Sequence, residues 1–350
     1  MSDPPWWFTP AHVQGVLLEE AILYLLRSSG YTTVTAPDNV TTRRAFGGGL
    51  QVRGRGGEHQ IDAIADFTIT PPFTNPQRLI VEAKCYARKE VGLDVVRNGV
   101  GVLKDISEFW AAPDESSIGK RRYHYQYAIF SASEFSLSAQ RYAYAHDVHL
   151  LPLRRSVFLQ PVIQAIMETS RMVGYARSPA VDSRARFRPA ARPDTARLRH
   201  VLRDALLTHP DGVATPEEAR FLEPLISACR RVGTAVIAMI GNAIPVFLMS
   251  DPTLDLSELL PFTRVRYTWD EQGWYISASH DGRRLFSFDL PVEVVRLYAA
   301  SGTLTPPEAL DLKATILSNL QAVAVIDGRT QVLHMDLDQR WLAEVRRTGR

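Results

Sequence analysis

Apolar positions recur at helical spacing near the start of the chain, at Val16, Leu17, Ala21 and Leu25. Thr9-Pro10 ahead of them offers a cap followed by proline at the first helical position, and Gly30 offers a C′ stop, so a helix to about Ser28 is predicted. Tyr31 to Pro37 then predicts a strand, and so do Ile61 to Ile69 and Leu79 to Lys84, either side of a Pro-rich turn from Pro71 to Arg78. Leu93, Val96, Val100, Leu103 and Ile106 form one stripe of a crossover helix over 92–110, in which Gly99 and Gly101 weaken helix propensity but permit close packing on a sheet. Residues 111–122 read as a loop, Tyr123 to Ser131 as a strand, Ser136 to His146 as a helix, and Val148 to Leu153 as a last strand. A helical segment to about Val173 completes an αβββαβαβ order, which predicts an α/β domain with a mixed central sheet flanked by helices.

The pattern breaks over 174–200, where Arg, Ala and Pro dominate and large apolar residues are few, as in a linker. Its arginines, among them Arg177, Arg184, Arg186, Arg188, Arg192, Arg197 and Arg199, are either phosphate-neutralising or merely solubilising. Residues 201–350 alternate helices and strands, with hairpins expected at WDEQGW and at Asp327-Gly328, which predicts a C-terminal α+β domain. No nucleotide-binding loop, metal cluster or catalytic triad is evident there, so its role is open between recognition, partner binding and sensing.

The chemistry concentrates between Gly54 and Tyr86. Side chains alternate along a strand, so Glu82 and Lys84 share a face, and a hairpin would bring Asp62 beside Glu82. Charges rarely interrupt an apolar strand without partners. Two carboxylates and a lysine at one end of a sheet supply the parts for metal-assisted phosphodiester hydrolysis: hard oxygens for Mg²⁺, and a cation to orient water or offset developing charge. Glycines precede Asp62, as a backbone approaching a phosphate chain would require. Arg43, Arg44, Arg53 and Arg55 lie among them, and Arg53 and Arg55, with His59 and Gln60, are the candidate nucleic-acid contacts. On the first helix, Glu19 or Glu20 could face the same mouth.

GGEHQIDAIAD and LIVEAKCY resemble the core of the PD-(D/E)xK nuclease superfamily, in its Mrr-like branch of type IV restriction endonucleases. The resemblance extends upstream to GVLLEEAILYLLRSSGYTT and downstream to YQYAIFSASEFSLSAQRYAYAHDVHLLPL, covering residues 11 to 155. It implies a restriction-endonuclease-like sheet with Asp62 and Glu82 as metal ligands joined by the Ala83 carbonyl. It also implies Lys84 as the residue positioning water, and selects Glu19 as the supporting acid of the first helix. Mrr-like members often carry Gln where this chain has Glu82, so the match is closer to the general superfamily pattern; Leu18 before the helix glutamate is a milder departure. The implied activity is a Mg²⁺-dependent endonuclease acting on DNA, with Mn²⁺ as a possible substitute, in restriction or anti-phage defence. Two other readings stay open, a nuclease fold that binds without catalysis and a nuclease directed at RNA or junctions.

Composition bounds these readings only loosely. The 350 residues are enough for two domains, 1–173 and 201–350, and 45% hydrophobic against 22% charged residues describes a chain with ordinary cores. A formal net charge of +2 requires any basic face to be local. Cys85 and Cys229, far apart, give neither a disulfide framework nor zinc spacing. The opening MSDPPWWFTP, whose Trp6 and Trp7 would dock on the first domain, lacks the regions of a signal peptide, and no apolar run reaches membrane-span length. A cytoplasmic location is therefore expected, with DNA as partner and a homo-oligomer or defence-system protein as possible further partners.

Overall fold

The long strand expected from Ile61 to Ile69 is broken at Asp62 and stops at Phe67, so that Ile61 ends a strand of one sheet and Ala63–Phe67 belongs to another. The computed structural model describes residues 10–45, 49–86, 89–109, 122–174, 195–207, 216–232, 235–241, 244–251, 253–259, 262–270, 273–290, 294–295 and 305–348. Trp6, Trp7 and the arginines at 177, 184, 186, 188 and 192 lie outside them.

The chain begins with α1 (Pro10–Ser28), followed by Gly30 at φ 82°, the left-handed stop its position predicted. Strand β1 covers only Tyr31–Thr33. The glycine-rich stretch, expected as a loop, contains β2 (Thr42–Arg44), β3 (Leu50–Arg53) and β4 (Glu58–Ile61), a three-stranded antiparallel sheet. Leu50, Val52 and Ile61 bury one face of it, alternating with polar neighbours; three strands of four residues or fewer gave too little pattern to be seen in the sequence. Next come β5 (Ala63–Phe67), β6 (Gln77–Lys84), α2 (Leu93–Ser107), β7 (His124–Ser131), α3 (Leu137–Ala145) and β8 (Val148–Pro152).

The main sheet has the order β1-β5-β6-β7-β8, antiparallel from β1 to β6 and parallel from β6 to β8, which is the mixed α/β arrangement expected. Ile64, Ile80, Tyr127 and Ile129 share a core with Val96, Val102 and Ile106 of α2 and Ala139 and Ala143 of α3. At the start of β6 the buried Arg78 donates to both Asp66 oxygens at 2.6 and 2.9 Å and lies 3.6 Å over the Tyr123 ring, so its charge is matched inside the fold.

Helices α4 (Gln160–Gly174), α5 (Thr195–Leu207) and α6 (Pro216–Val232) follow. The chain separates into two compact units, one of Met1–Arg27, Tyr31–Arg154 and Leu159–Gly233, the other of Ser28–Gly30, Arg155–Phe158 and Thr234–Arg350. Both α5 and α6, expected in the linker and the C-terminal domain, therefore belong to the first unit. The reason is packing and charge. Leu198, Val201, Leu202, Leu222, Leu225 and Ile226 are buried, Arg197 pairs with the buried Glu218 at 2.8 Å, and Arg203 donates to the buried Glu20 at 2.6 and 2.9 Å.

The second unit is built on a closed seven-stranded barrel, a specific form of the α+β domain expected. Its strands are β9 (Ala235–Ile240), β10 (Ile244–Ser250), β11 (Phe262–Asp270), β12 (Gly273–Ala278), β13 (Arg284–Phe288), β14 (Asn319–Ile326) and β15 (Arg329–Leu337), with α7 (Pro306–Thr315) and α8 (Gln339–Thr348). The pairing is antiparallel throughout except between β11 and β15. Leu248, Tyr267, Ile276, Phe286, Phe288 and Leu320 fill the core. The β14–β15 hairpin turns at Asp327 and Gly328, with φ of 50° and 72°, as Asp-Gly predicts. No helix among the described residues is long and apolar enough to cross a membrane.

Candidate active site

Asp62 is the single residue between β4 and β5. The β5–β6 ladder ends at Ala63 opposite Val81. In place of a further rung, the Ala83 N–H donates to Asp62 Oδ2 at 2.8 Å. The chain bend thus turns a carboxylate into the hydrogen-bond partner of the neighbouring strand. Lys84 O accepts from Ala132 N on the β7 side, and successive carbonyls along a strand alternate, so the Ala83 carbonyl faces the Asp62 side.

Glu82 and Lys84 project from the same face of β6 and form an ion pair there, each about four-fifths buried. Tyr127 of β7, which pairs with Ile80 two positions before Glu82, donates its hydroxyl to Glu82 Oε2 at 3.3 Å. Burial raises the Tyr127 pKa, and Glu82 and Asp62 raise it further, so the phenol stays a donor. Burial pushes Asp62 up to about 6, the Glu82 charge adds to this, and the Ala83 N–H, Lys84 and Arg199 oppose it. Burial works against the Lys84 ammonium, but the Glu82 hydrogen bond and charge, with Asp62 behind them, hold its pKa above the ordinary range.

Glu19 of α1 lies in the field of Asp62, whose charge helps raise its pKa. Burial pushes Glu19 up to about 7; Arg199 lowers it, and Asp62 and Glu20 raise it. Arg199 reaches Glu19 Oε2 at 2.5 Å and Glu20 Oε1 at 3.6 Å. All four expected residues, Asp62, Glu82, Lys84 and Glu19, are therefore electrostatically coupled.

Two contributors escaped the sequence reading, Arg199 and Tyr127. Arg199 lies in a stretch that reads as a linker because Arg and Pro dominate it, although Leu198, Val201, Leu202 and Leu206 carry helical spacing. Tyr127 looks like any apolar position of a buried strand, and no sequence signal marks its hydroxyl.

The expected nucleic-acid contacts are arranged differently from the expectation. Arg43 and Arg44 lie on β2 and Arg53 on β3, rather than on a loop. Arg53 donates to Val40 O at 3.2 Å and lies 4.9 Å over the Phe109 ring; Arg55 pairs with Glu108 at 3.3 Å. His59 Nε2 meets Asp105 Oδ2 at 2.7 Å, while Gln60 is exposed on β4. None of the four has a hydrogen bond or ion pair to Asp62, Glu82 or Lys84 among the described residues. The glycines also have a nearer partner than phosphate. Gly56 N donates to Asp105 Oδ1 at 2.7 Å, and a Cβ on Gly54 would sit 1.8 Å from Asp105 Oδ2, so the glycine-rich turn closes around a carboxylate of α2.

Among the described residues no group of three or more His, Cys, Asp or Glu stands ready to hold a metal. The Asp62 and Glu82 carboxylates and the Ala83 carbonyl form a smaller set of hard oxygens. Mutual repulsion is one of the causes that raise Asp62, and a divalent cation would relieve it, so this set fits Mg²⁺.

No family model and no curated protein matches the chain. A solved structure described as a protein of unknown function, AF1548, aligns with 63% of this chain and 98% of its own length, at 16% identity and a TM-score of 0.34.

Proposed function

We propose that the first unit is a Mg²⁺-dependent endodeoxyribonuclease with a restriction-endonuclease-like sheet of the PD-(D/E)xK type, hydrolysing DNA phosphodiester bonds in restriction or anti-phage defence. The observation that carries this reading is the bend at Asp62. It sets a half-buried carboxylate against the Ala83 N–H, beside the Glu82–Lys84 pair, at the end of a mixed sheet.

Asp62, Glu82 and the Ala83 carbonyl would hold the cation, which supplies Lewis-acid polarisation of phosphate and a more acidic water. The residues of the chain do the remaining work. Lys84, charged at neutral pH, has three N–H donors and spends one on Glu82, which leaves donors for the attacking water and a phosphate oxygen. Tyr127 fixes one Glu82 oxygen, limiting the rotamers that carboxylate can adopt. Glu19, with a pKa near neutrality, can take up or release a proton beside the group.

The test is cleavage of supercoiled, linear, methylated and single-stranded DNA by purified protein with and without Mg²⁺, alongside Glu82→Gln and Lys84→Ala. Expected is Mg²⁺-dependent cutting that both variants lose by at least about a hundredfold while remaining folded. Near wild-type cutting by either folded variant, or none by the wild type on any substrate, removes the reading; RNA and junction substrates distinguish a nuclease of another specificity.

A further inference from the structure

Arg199 comes to the carboxylates from α5, far from them in sequence, and is itself largely buried. Its neighbour one turn on, Arg203, already answers Glu20 with two hydrogen bonds. The local charge therefore does not require Arg199 for Glu20, and its short contact goes to Glu19. Both of its carboxylate contacts use Nη1. A guanidinium carries five donors in a planar fork, more than the contacts with these two carboxylates take up. Its field also lowers the Asp62 pKa, which puts the cation within electrostatic reach of the proposed reacting end of the sheet.

A DNA phosphate approaching Asp62, Glu82 and Glu19 meets three carboxylates and needs fixed positive charge on the protein side. Lys84 is committed in part to Glu82. The candidate DNA arginines Arg53 and Arg55 are held against the end of α2. Arg199 is the guanidinium that is both anchored and still has donors to give. We propose that Arg199 is a phosphate-binding residue of this site, held by Glu19 through Nη1 and presenting the rest of its fork to the DNA backbone next to the bond that is cut. This rests on the nuclease reading for the identity of the ligand, a DNA phosphodiester. Anchoring by Glu19 keeps the fork pre-oriented, so little side-chain freedom is lost on binding. It also gives α5, outside the segment that resembles the nuclease core, a part in substrate binding.

The experiment measures affinity for a short DNA duplex across a salt series in EDTA, where no divalent cation is present. Wild type is compared with Arg199→Gln, Arg199→Lys, Glu19→Gln and, as a control of equal charge change, Arg220→Gln on the exposed face of α6. Arg199→Gln should bind about tenfold more weakly, with a salt slope smaller by roughly one unit per lost phosphate contact. Arg199→Lys should keep the slope but lose several-fold in cleavage rate once Mg²⁺ is added, because a point charge cannot reproduce the fork. Glu19→Gln, which removes the charge that anchors the fork, should bind several-fold more weakly than wild type, and Arg220→Gln should match wild type. Thermal unfolding of each variant separates lost binding from lost folding; if Arg199→Gln is unfolded, the Lys variant and Glu19→Gln decide. Wild-type affinity and slope in folded Arg199→Gln, or faster cleavage by it, would overturn the proposal and leave the nuclease reading standing. Arg199-dependent DNA binding with no cleavage by the wild type would uphold the proposal for Arg199 and remove the nuclease reading.

Discussion

The edge of the Tyr127 ring lies where a side chain on Gly99 would be: a Cβ built there comes within 2.8 Å of Tyr127 Cε1. A glycine in the middle of α2 costs about 1 kcal/mol of helix propensity, and this contact is what the cost allows. With the helix backbone so close, the ring is buried in the core and its hydroxyl reaches Glu82 at 3.3 Å. Gly99→Ala should therefore destabilise the first unit by about 1–3 kcal/mol through overpacking, despite alanine's better helix propensity. Cleavage should fall with it as the hydroxyl is pushed off Glu82. Tyr127→Phe should lose about 1 kcal/mol of stability, and Tyr127→Phe in the Gly99→Ala background should lose less activity than in the wild type. Urea unfolding and initial cleavage rates for the four proteins check this. A fully additive loss of activity would mean that Gly99 acts on the site by another route.

A second coupling joins the small sheet to the same helix. Asp105 accepts from Gly56 N at 2.7 Å and meets His59 Nε2 at 2.7 Å, and these contacts hold its carboxyl below the ordinary aspartate range. Gly54→Ala drives a methyl group into the Asp105 carboxylate and should be clearly destabilising. In the Asp105→Ala background that collision is gone, so the same change should cost much less, with a coupling of about 0.5–3 kcal/mol in the double-mutant cycle. If Gly54→Ala instead leaves stability unchanged and weakens only DNA binding, the turn serves phosphate after all.

How far the sequence discloses these features follows from the length and pattern of each element. The β6 strand and α2 carry enough apolar residues for their periods to be read, so Glu82 and Lys84 are legible; of the expected α2 stripe Val96 and Ile106 are buried, while Val100 and Leu103 are half-buried and Gly99 and Val102 complete the buried face. Ala63 to Phe67 is legible as a strand too, but the switch at Asp62 is not, because a one-residue bend leaves the apolar run intact on both sides. The ladder β2-β3-β4 hides behind its glycines, which signal a loop while serving the close contact with Asp105. Arg199 and Arg203 are invisible for a different reason. Their partners Glu19 and Glu20 lie on α1, and no local pattern records a pairing over that separation. A closed barrel likewise needs the β9–β14 and parallel β11–β15 pairings, which hairpin signals do not contain.

The placement of α5 and α6 makes a prediction about where the chain can be shortened. A chain ending at residue 174 would lose Arg203 and leave the buried Glu20 without its guanidinium, and would uncover the side of α4 that packs on α6, where Leu222, Leu225 and Ile226 are buried. Breaking a buried pair by removing one partner costs about 3–5 kcal/mol. A chain ending at residue 233 keeps both. The longer form should unfold cooperatively with high solubility, and the shorter should be insoluble or melt at least about 5 °C lower. Equal melting temperatures would show that α5 and α6 contribute nothing to the first unit. Glu20→Gln should rescue part of the shorter chain's loss, since an amide is cheaper to bury unpaired than a carboxylate.

The raised carboxylates give the protein a pH dependence opposite to that of an ordinary salt-bridged acid. Glu19, at about 7 when folded against 4.5, and Asp62, at about 6 against 3.8, bind their protons more tightly in the folded state. Below about pH 4 both states are protonated and neither group matters. Between about 4 and 7 the unfolded chain releases these protons first, so it binds fewer than the folded one, and stability falls as pH rises. The full effect is roughly 3 kcal/mol for each group, present above pH 7 and less than additive because the two carboxylates interact. Asp62→Asn and Glu19→Gln should therefore leave stability at pH 4 unchanged and raise it at pH 8, flattening the curve between. Mg²⁺ should do to the wild type what these substitutions do, since a cation held by Asp62 and Glu82 binds the ionised forms and competes with protons. The gain in melting temperature on adding Mg²⁺ should be larger at pH 8 than at pH 5, shrink in Asp62→Asn and Glu82→Gln, and reverse with EDTA. Thermal melts across pH 4–8 with and without Mg²⁺ read all of this without any cleavage. A Mg²⁺ stabilisation of the same size in Glu82→Gln, or one that does not grow with pH, would place the cation elsewhere.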